Sequence, residues 1–207
     1  MDLIKKYFPN LETEQYEKLE ALIPLYQDWN TKINVVSRKD IDNLAVHHIL
    51  HSLGIVKMIR FQPNTSVLDV GTGGGFPGIP LSIVFPRSNF HLIDSISKKI
   101  KVVQGIATEL ELANVRAEQK RVQQIKAKYE FVVSRAVTSF PRFVKMTRNN
   151  ISDDHKNGLP NGIIYLKGGD FSKEISNFKD KVAVFKLSDY FSEEFFETKK
   201  VIYLPFA

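Results

Sequence analysis

The chain has 207 residues, of which 43% are hydrophobic and 25% are charged, and this balance is typical of one globular domain with at most a short extension. It contains no cysteine, which excludes disulfide bonds, thiolate metal sites and a cysteine nucleophile. No stretch approaches the roughly 20 apolar residues that a membrane span needs. The beginning of the chain also lacks the apolar run of a signal peptide. We therefore expect a cytoplasmic protein that does not contact a membrane.

The net charge of the sequence is +6. Basic residues clearly outnumber acidic ones between Lys98 and Arg148, whereas residues 12–20 and 192–197 are rich in acids. An excess of positive charge points to a polyanionic partner such as a nucleic acid. A well-solvated surface with additional lysines would have the same composition, so charge alone leaves both interpretations open.

Helical periodicity marks the beginning of the chain. Apolar residues recur at three- and four-residue spacing in residues 13–30 and predict an amphipathic helix. A second helix is predicted over residues 39–59, with His48 on its inward face. We therefore expect residues 1–60 to form a helical extension that packs on a main domain of residues 61–207.

Short apolar runs alternate with helical patterns in the rest of the chain. Strands are predicted over residues 66–70, 89–94, 114–118, 130–134 and 162–166, and a helix over residues 97–112. Two further strand-like runs, residues 181–187 and 200–204, are too close together for a helical crossover and predict an antiparallel hairpin. This alternation predicts an α/β fold, a doubly wound and mostly parallel sheet that ends in the hairpin.

A glycine-rich loop joins the first predicted strand to the next helix in residues 68–80 (LDVGTGGGFPGIP). Glycines allow the backbone to turn sharply and to approach a ligand closely, and ligands of open parallel sheets bind at the carboxyl ends of the strands. Two spacings compete. Gly71, Gly73 and Gly75 match the G-x-G-x-G spacing of methyltransferases. The set Gly73, Gly75 and Gly78 instead matches the G-x-G-x-x-G fingerprint of dinucleotide-binding proteins.

Two acidic residues bear on the choice of ligand. Asp69 precedes the loop, and a carboxylate directed at the loop would repel a pyrophosphate but stabilise the ammonium and sulfonium groups of S-adenosylmethionine. We therefore favour the methyltransferase spacing and place Asp69 in the cofactor site. Asp94 ends the second strand, where a carboxylate can accept hydrogen bonds from both ribose hydroxyls of an adenosine. Alternatively, Asp94 caps the helix that follows.

Several motifs add to the glycine loop. They are Trp29-Asn30 with Asn34, residues 69–81 (DVGTGGGFPGIPL), residues 92–99 (LIDSISKK), Ser134-Arg135-Ala136 and Leu166-Lys167-Gly168. In these motifs the chain resembles, over nearly its whole length, the bacterial small-subunit rRNA (guanine-N7) methyltransferase family, also called glucose-inhibited division protein B. The resemblance implies a class I, Rossmann-like methyltransferase fold with S-adenosylmethionine as cofactor. It also implies 16S rRNA or the assembling small ribosomal subunit as partner, and we expect a monomer.

The resemblance further implies roles for individual residues. Gly71 and Phe76 would line the cofactor site, and the loop Arg121-Val122-Gln123 would hold the adenine. Arg135 would lie beside the cofactor or the target base. The chain departs from the family's pattern at two positions, His51 in place of aspartate and Gln123 in place of a common glutamate.

The chemistry of the fourth-strand motif agrees with a guanine target. Methyltransferases that act on exocyclic amines commonly carry Asp/Asn-Pro-Pro-aromatic where this chain has Ser134-Arg135-Ala136-Val137. Guanine N7 has a free lone pair and needs no base. Arginine donates two hydrogen bonds to guanine acceptors, although N7 itself must stay free for the reaction. We therefore take Arg135 as the catalytic candidate.

Basic residues elsewhere are candidates for phosphate contacts. They are Arg38, Lys98, Lys99, Arg142, Lys145, Arg148 and Lys167. Lys167 is favoured because it follows an apolar strand at the ligand-binding edge, but each could equally be a solvated surface residue. Trp29 and Phe76 could stack on bases, or they could pack in the core.

Two alternatives to an rRNA methyltransferase stay open. The dinucleotide spacing would suit a nicotinamide-dependent oxidoreductase, and a non-catalytic RNA-binding module would keep the fold as a scaffold. A metal site is not expected. His47 and His51 share a helical face, but no acid or further histidine lies at the spacing of a zinc site.

Overall fold

A seven-stranded sheet forms the centre of the protein. The computed structural model describes residues 2–135, 137–178 and 180–206. The strands are β1 (Ser66–Val70), β2 (Asn89–Asp94), β3 (Val115–Gln119), β4 (Phe131–Arg135), β5 (Gly162–Gly168), β6 (Ala183–Lys186) and β7 (Lys199–Pro205). Their order is β3-β2-β1-β4-β5-β7-β6, with parallel pairs from β3 to β5. Because β7 pairs antiparallel with both β5 and β6, the predicted parallel sheet with a C-terminal hairpin is confirmed.

Helices flank the sheet. They are α1 (Asp2–Tyr7), α2 (Thr13–Lys32), α3 (His51–Leu53), α4 (Gly78–Val84), α5 (Ser97–Glu109), α6 (Phe140–Thr147) and α7 (Ser172–Ile175). Further 3-10 turns lie at Val122–Gln124, Arg148–Asn150, Ser176–Phe178, Leu187–Asp189 and Glu194–Thr198. Within the described residues, no helix has the length and apolar character that crossing a bilayer requires.

The two faces of the sheet pack against different hydrophobic clusters. Val67 of β1 joins a cluster that includes Leu22 of α2, whereas its neighbour Leu68 joins a cluster with Phe143 of α6. Successive side chains of a strand point to opposite faces, so both residues are buried. Cover on both faces explains why the central strands read as continuous apolar runs.

The beginning of the chain packs directly on this sheet. The predicted helix over residues 13–30 is confirmed as α2, which extends two residues further. Its Leu19, Leu22 and Tyr26 are fully buried and belong to the same cluster as the sheet residues on that face. Residues 1–60 therefore share a core with the sheet, and their division from residues 61–207 stays a prediction.

The prediction of one regular helix over residues 39–59 is wrong in its detail. The segment is helical, but it consists of a 3-10 turn (Ile41–Asn43), a π-helix (Ala45–Leu50), α3 and a second 3-10 turn (Gly54–Lys57). We call residues 41–57 the mixed helical segment. In its π-helix the adjacent His47 and His48 side chains both contact the Asp40 carboxylate. The spacing of apolar residues does not predict this contact.

Polar side chains shift the ends of several predicted elements. The strand predicted over residues 114–118 begins one residue later, and the Asn114 amide donates to the carbonyl groups of Ser82, Phe85 and Ser88, at the end of α4 and in the loop before β2. The strand predicted over residues 130–134 is also shifted by one, since the Glu130 carboxylate accepts from the backbone of Ser66 at 2.8 Å. The helix predicted over residues 97–112 ends at Glu109, and Glu111 turns the chain with a φ of +51°.

Candidate active site

A cavity of about 570 Å³ opens at the carboxyl ends of the parallel strands. Its walls come from the glycine loop after β1, the end of β2, the loop after β3 and the end of β4, with further residues from the segment after α2 and from α5 and α6. Its lining residues include Val35, Gly71, Thr72, Gly73, Gly74, Phe76, Asp94, Ile96, Lys99, Lys120, Arg121, Val122, Gln123, Arg135, Val137, Arg142 and Met146. This edge of the sheet is where the sequence predicts a ligand.

The glycine loop adopts backbone conformations that favour glycine. Gly71, Gly73 and Gly75 have φ values of +69°, +60° and +105°, in the left-handed region. The amides of Gly71 and Thr72 donate to the Ile93 carbonyl at 2.8 and 3.0 Å, which ties the loop to the end of β2. The backbone conformation of the glycine loop therefore determines the shape of the cavity floor.

Gly75 lies outside the cavity, contrary to its prediction as a cofactor-binding residue. A Cβ atom at Gly75 would come within 2.7 Å of the Ile79 side chain and 3.0 Å of the Tyr26 hydroxyl. The glycine is thus required for packing beneath the loop. The spacing of glycines in the sequence does not distinguish a glycine that approaches a ligand from one that is required for packing.

Asp69 does not line the cavity, although its carboxylate is directed at the glycine loop as predicted, and its place in the cofactor site stays a prediction. The side chain is fully buried, and its Oδ2 accepts from the Thr72 hydroxyl at 2.6 Å and from the Gly78 amide at 2.9 Å. Burial raises the pKa of the carboxyl group to about 7. Asp69 therefore braces the loop from below.

Asp94 lines the cavity and is buried apart from a small exposed area. Its Oδ2 accepts from the Gly73 amide at 3.0 Å, and its Oδ1 accepts from the Ile96 amide at 2.9 Å. Ile96 is the N-cap residue of α5 and, among the described residues, no side chain caps the first turn of that helix, so Asp94 holds the residue before α5 without capping the helix. The ribose role stays a prediction, and each oxygen retains a lone pair for a further donor.

The opposite wall combines apolar and polar side chains from two loops. Arg121, Val122 and Gln123 line the cavity as the resemblance implies. Sequence reasoning missed Ile96 and Val137, two of the few large apolar side chains that are strongly exposed, at 48% and 43%. An apolar residue two positions after an acidic strand end is a signal that could have identified Ile96.

Arg135 enters the cavity from the end of β4. Its guanidinium lies over the Phe76 ring, 5.1 Å from the centroid, and Phe76 stacks on Tyr26 at 4.7 Å. The Tyr26 hydroxyl donates to the Gly74 carbonyl at 2.6 Å, which joins this stack to the glycine loop. Burial lowers the pKa of Arg135 to about 10, so the side chain stays charged at neutral pH. Ala136, the last residue of the fourth-strand motif, lies outside the described residues.

A polar cluster that sequence reasoning missed holds the other side of Arg135. Its Nη1 donates to the His47 carbonyl at 3.1 Å, and its Nη2 lies 2.8 Å from His48 Nδ1. Both imidazoles reach one carboxylate: His47 Nδ1 and His48 Nε2 lie 2.5 and 2.6 Å from the oxygens of Asp40. The only signal in the sequence is a pair of adjacent histidines shortly after an aspartate.

His51, where the chain departs from the family's pattern, is buried behind this cluster. Its ring contacts Phe195 and Phe196 edge-on, at centroid distances of 5.4 and 6.2 Å. Burial, together with the positive charges of Arg135 and Lys199, holds the pKa of His51 well below its usual range. The imidazole is therefore neutral and packs as part of the core. Within the described residues, no group of three or more histidine and acidic side chains could hold a metal ion.

The predicted RNA-binding residues fall into three groups. Lys99 and Arg142 line the cavity, whereas Arg38, Lys98, Lys145 and Arg148 are exposed on the surface. Lys167 is held instead in an ion pair, with its Nζ 2.6 Å from Glu174, and its side chain is only 15% exposed. The structure therefore corrects the preference for Lys167. Trp29 also lies away from the cavity, where its indole donates to Glu109 at 3.1 Å.

Comparison with solved structures identifies the class of fold. The chain is similar to a SAM-dependent methyltransferase from Aquifex aeolicus, with a TM-score of 0.57 over 82% of this chain and 98% of that one. The sequence identity is 16%, so this likeness concerns the fold alone. With its strand order and its cavity at the strand ends, the protein has the class I, Rossmann-like methyltransferase fold.

Sequence comparison identifies the family. The model of the family described as rRNA small subunit methyltransferase G matches residues 15–203. A ribosomal RNA small subunit methyltransferase G from Flavobacterium johnsoniae is 58% identical, covering 99% of this chain and 98% of its own. One from Bacteroides thetaiotaomicron is 53% identical over 98% of both chains. The chain belongs to the rRNA small subunit methyltransferase G family.

Proposed function

We propose that this protein transfers the methyl group of S-adenosylmethionine to N7 of a guanine in 16S rRNA. The observation that carries the proposal is that one cavity brings together the glycine loop, the Asp94 carboxylate and the Arg135 guanidinium. Family membership supports the reaction and the class of substrate. Asp69 contacts the glycine loop from the core and does not line the cavity, so family membership is the main argument against a nicotinamide cofactor.

The residues of the cavity fit S-adenosylmethionine. Asp94 offers carboxylate oxygens to the ribose hydroxyls, while Ile96 and Val122 offer apolar surface to the adenine. A Cβ atom built at Gly73 meets nothing within 4 Å, so the backbone there faces open space. The resemblance adds Arg121 and Gln123 to the adenine side. When bound, the cofactor supplies an activated methyl group on a sulfonium.

The side chains around the cavity favour a target that needs no base. Asp94 is the one carboxylate among the described lining residues, and backbone amides already engage both of its oxygens. Guanine N7 carries its own lone pair, so the protein mainly has to hold it in line with the methyl group. In this proposal Arg135 donates to guanine O6 and stabilises the charge that develops on the alkylated ring.

Basic side chains at the cavity suit a polyanionic substrate. Lys99, Arg121 and Arg142 line it, together with Lys120, which is paired with Glu118 at 3.1 Å. In this proposal these residues contact phosphates near the target base, and the exposed Arg38 and Lys98 extend the surface. A cytoplasmic monomer that acts on rRNA or on the assembling subunit completes the proposal. The extension of residues 1–60 would supply one wall, since Val35 lines the cavity.

Two measurements test this function. Calorimetric titration with S-adenosylhomocysteine should show micromolar binding, and NAD should not bind. Incubation with S-adenosylmethionine and either naked 16S rRNA or small subunits, followed by nucleoside mass spectrometry, should give 7-methylguanosine. Cofactor binding without methylation of either substrate would contradict the proposed target. Binding of NAD alone would contradict the proposed reaction, and salt-sensitive RNA binding without any cofactor would select the non-catalytic module.

A further inference from the structure

Arg135 is held in place by neutral groups. Its two recorded polar contacts are the His47 carbonyl and the His48 ring, and the nearest acid of the cluster, Asp40, lies behind the imidazoles. The described residues place no carboxylate within ion-pair distance of Arg135. The guanidinium therefore keeps its full positive charge at the cavity. A carboxylate in direct contact would neutralise part of that charge and compete with the acceptors of a base.

The contacts of His48 define which of its nitrogens carries the proton. Arginine can only donate, so His48 Nδ1 must accept from Arg135. An ionised carboxylate can only accept, so Nε2 must carry a hydrogen and donate to Asp40. His47 likewise donates from Nδ1 to the other oxygen of Asp40. Both oxygens of this carboxylate are thus occupied, and His48 is fixed as the neutral Nε2–H tautomer.

We propose that Asp40 and His48 are positioning residues that hold Arg135 in the orientation that recognises the target guanine. This inference rests on the proposed function. Asp40 fixes the tautomer of His48, and His48 then presents a lone pair that orients the guanidinium over Phe76. Five N–H bonds are available to Arg135 and two are used here, so three remain for the base and its surroundings. The mixed helical segment thereby acts on the reaction through Arg135, and the His48 ring also packs against Phe76 at a centroid distance of 5.1 Å.

Two substitutions of His48 separate this role from general support of the fold. In His48→Asn the amide oxygen lies where Nδ1 was and can still accept from Arg135, whereas in His48→Gln the amide lies near the former Nε2 and can still meet Asp40. We expect His48→Gln to lower kcat for rRNA methylation by at least about tenfold, because a misplaced catalytic group costs that much or more. We expect His48→Asn to recover most of that loss. The affinity of both variants for S-adenosylhomocysteine should match that of the unsubstituted protein, since Asp94 and the glycine loop are intact.

Asp40→Asn tests the first step of the relay without changing the shape of the side chain. An amide can donate to His48 Nε2 and so stabilise the Nδ1–H tautomer, which would point a hydrogen at the Arg135 N–H groups. Nitrogen-15 NMR of histidine-labelled protein should report the Nε2–H tautomer for His48 in the unsubstituted protein and a different state in Asp40→Asn. kcat should fall together with that change.

Several outcomes would overturn the inference. One is an Nδ1–H tautomer of His48 in the unsubstituted protein. Another is an equal loss of kcat in His48→Asn and His48→Gln, which would show that the acceptor to Arg135 does not matter. A loss of cofactor affinity in step with kcat would show that the cluster only supports the cavity. The proposed function fails separately, because it is judged by cofactor binding and 7-methylguanosine formation in the unsubstituted protein.

Discussion

The glycine loop lines the cavity and the mixed helical segment holds Arg135 beside it, and these two regions are held in place in different ways. The glycine loop is held by close packing and by hydrogen bonds to its backbone, such as the Gly71 amide on the Ile93 carbonyl at 2.8 Å and the Gly78 amide on Asp69 at 2.9 Å. The mixed helical segment is held by contacts across the chain: His48 meets Arg135 over 87 residues, and His47 stacks on Phe195 at 3.9 Å. The loop is thus fixed mainly by backbone geometry and close packing, whereas the segment is fixed by a polar network.

This difference has consequences for stability and for function. A close-packed turn has little room to relax, so a single added methyl group should cost much of the stability of the domain. A polar network of two imidazoles and one carboxylate can be altered at smaller cost, but its state depends on pH. Substitutions in the two regions should therefore differ in size and in what they affect.

The largest effect is expected from Gly78→Ala. A Cβ atom there would lie 2.7 Å from Asp69 Oδ2 and 2.7 Å from Leu92 Cγ, both fully buried. Overpacking combined with a disturbed buried hydrogen bond should cost about 4 kcal/mol of unfolding free energy. Urea denaturation would measure it.

Gly73→Ala is the matched control within the same loop. Its φ of +60° disfavours alanine, but an added Cβ meets nothing within 4 Å. It should therefore cost only the backbone term of about 1 kcal/mol. Equal losses in the two variants would mean that backbone conformation, and not packing against Asp69, limits the loop.

A smaller effect, specific to the mixed helical segment, is expected from pH. Burial and the charge of Arg135 lower the pKa of His48 to about 4 from its ordinary 6.5. The folded state then binds fewer protons than the unfolded state between these values, so this group lowers stability as the pH falls. Between pH 7 and pH 5 the loss should be about 2 kcal/mol. The stability of His48→Gln should lack this component.

Comparing the two proteins by urea denaturation over this range cancels the titrating groups that do not interact with His48, such as Asp69. Asp40 and His51 do interact with it, so the difference reports His48 together with its effect on these two neighbours. If the unfolding free energies of the two proteins changed equally with pH, the pKa of His48 would not be lowered in the folded state, which would contradict the prediction.

The same contrast explains how far the sequence alone could predict this protein. The strands β1 and β2 and the floor of the cavity follow from apolar runs and from glycines at short spacing, and both strands have their predicted bounds. The spacing of Gly75 and Asp69 in the sequence does not distinguish a residue that lines a ligand from one that packs beneath the loop. The cluster of Asp40, His47 and His48 was missed because its meaning depends on Arg135, which only the folded chain brings near.

An intermediate effect on cofactor binding is expected from Asp94→Asn, which acts on the loop and the cavity together. The amide can still accept one backbone hydrogen bond, but it loses the second acceptor and the charge. Affinity for S-adenosylhomocysteine should fall by about tenfold, or roughly 1.4 kcal/mol, as expected for a hydrogen bond to a charged group. Calorimetry measures this directly, and circular dichroism should show an unchanged fold. Unchanged affinity would count against the ribose role of Asp94.

The smallest effect is expected from Lys167→Met, because in this structure the lysine has a local partner. Both oxygens of Glu174 lie 2.6 Å from its Nζ, and Glu174 also accepts from the Phe140 amide at the start of α6. The hydrogen bond from Lys167 lowers the pKa of Glu174. Loss of this largely shielded pair should cost about 1 kcal/mol of stability and leave the KM for rRNA unchanged.

Arg142→Ala is the contrasting variant, because Arg142 lines the cavity. Its KM for rRNA should rise, and the slope of log affinity against log salt should fall by about one, as expected for one lost phosphate contact. A reduced salt slope in Lys167→Met would instead show that Lys167 leaves Glu174 when RNA binds. Both residues lie near the ligand-binding edge of the sheet. The ion pair with Glu174 is the reason that Lys167, unlike Arg142, is not expected to contact RNA.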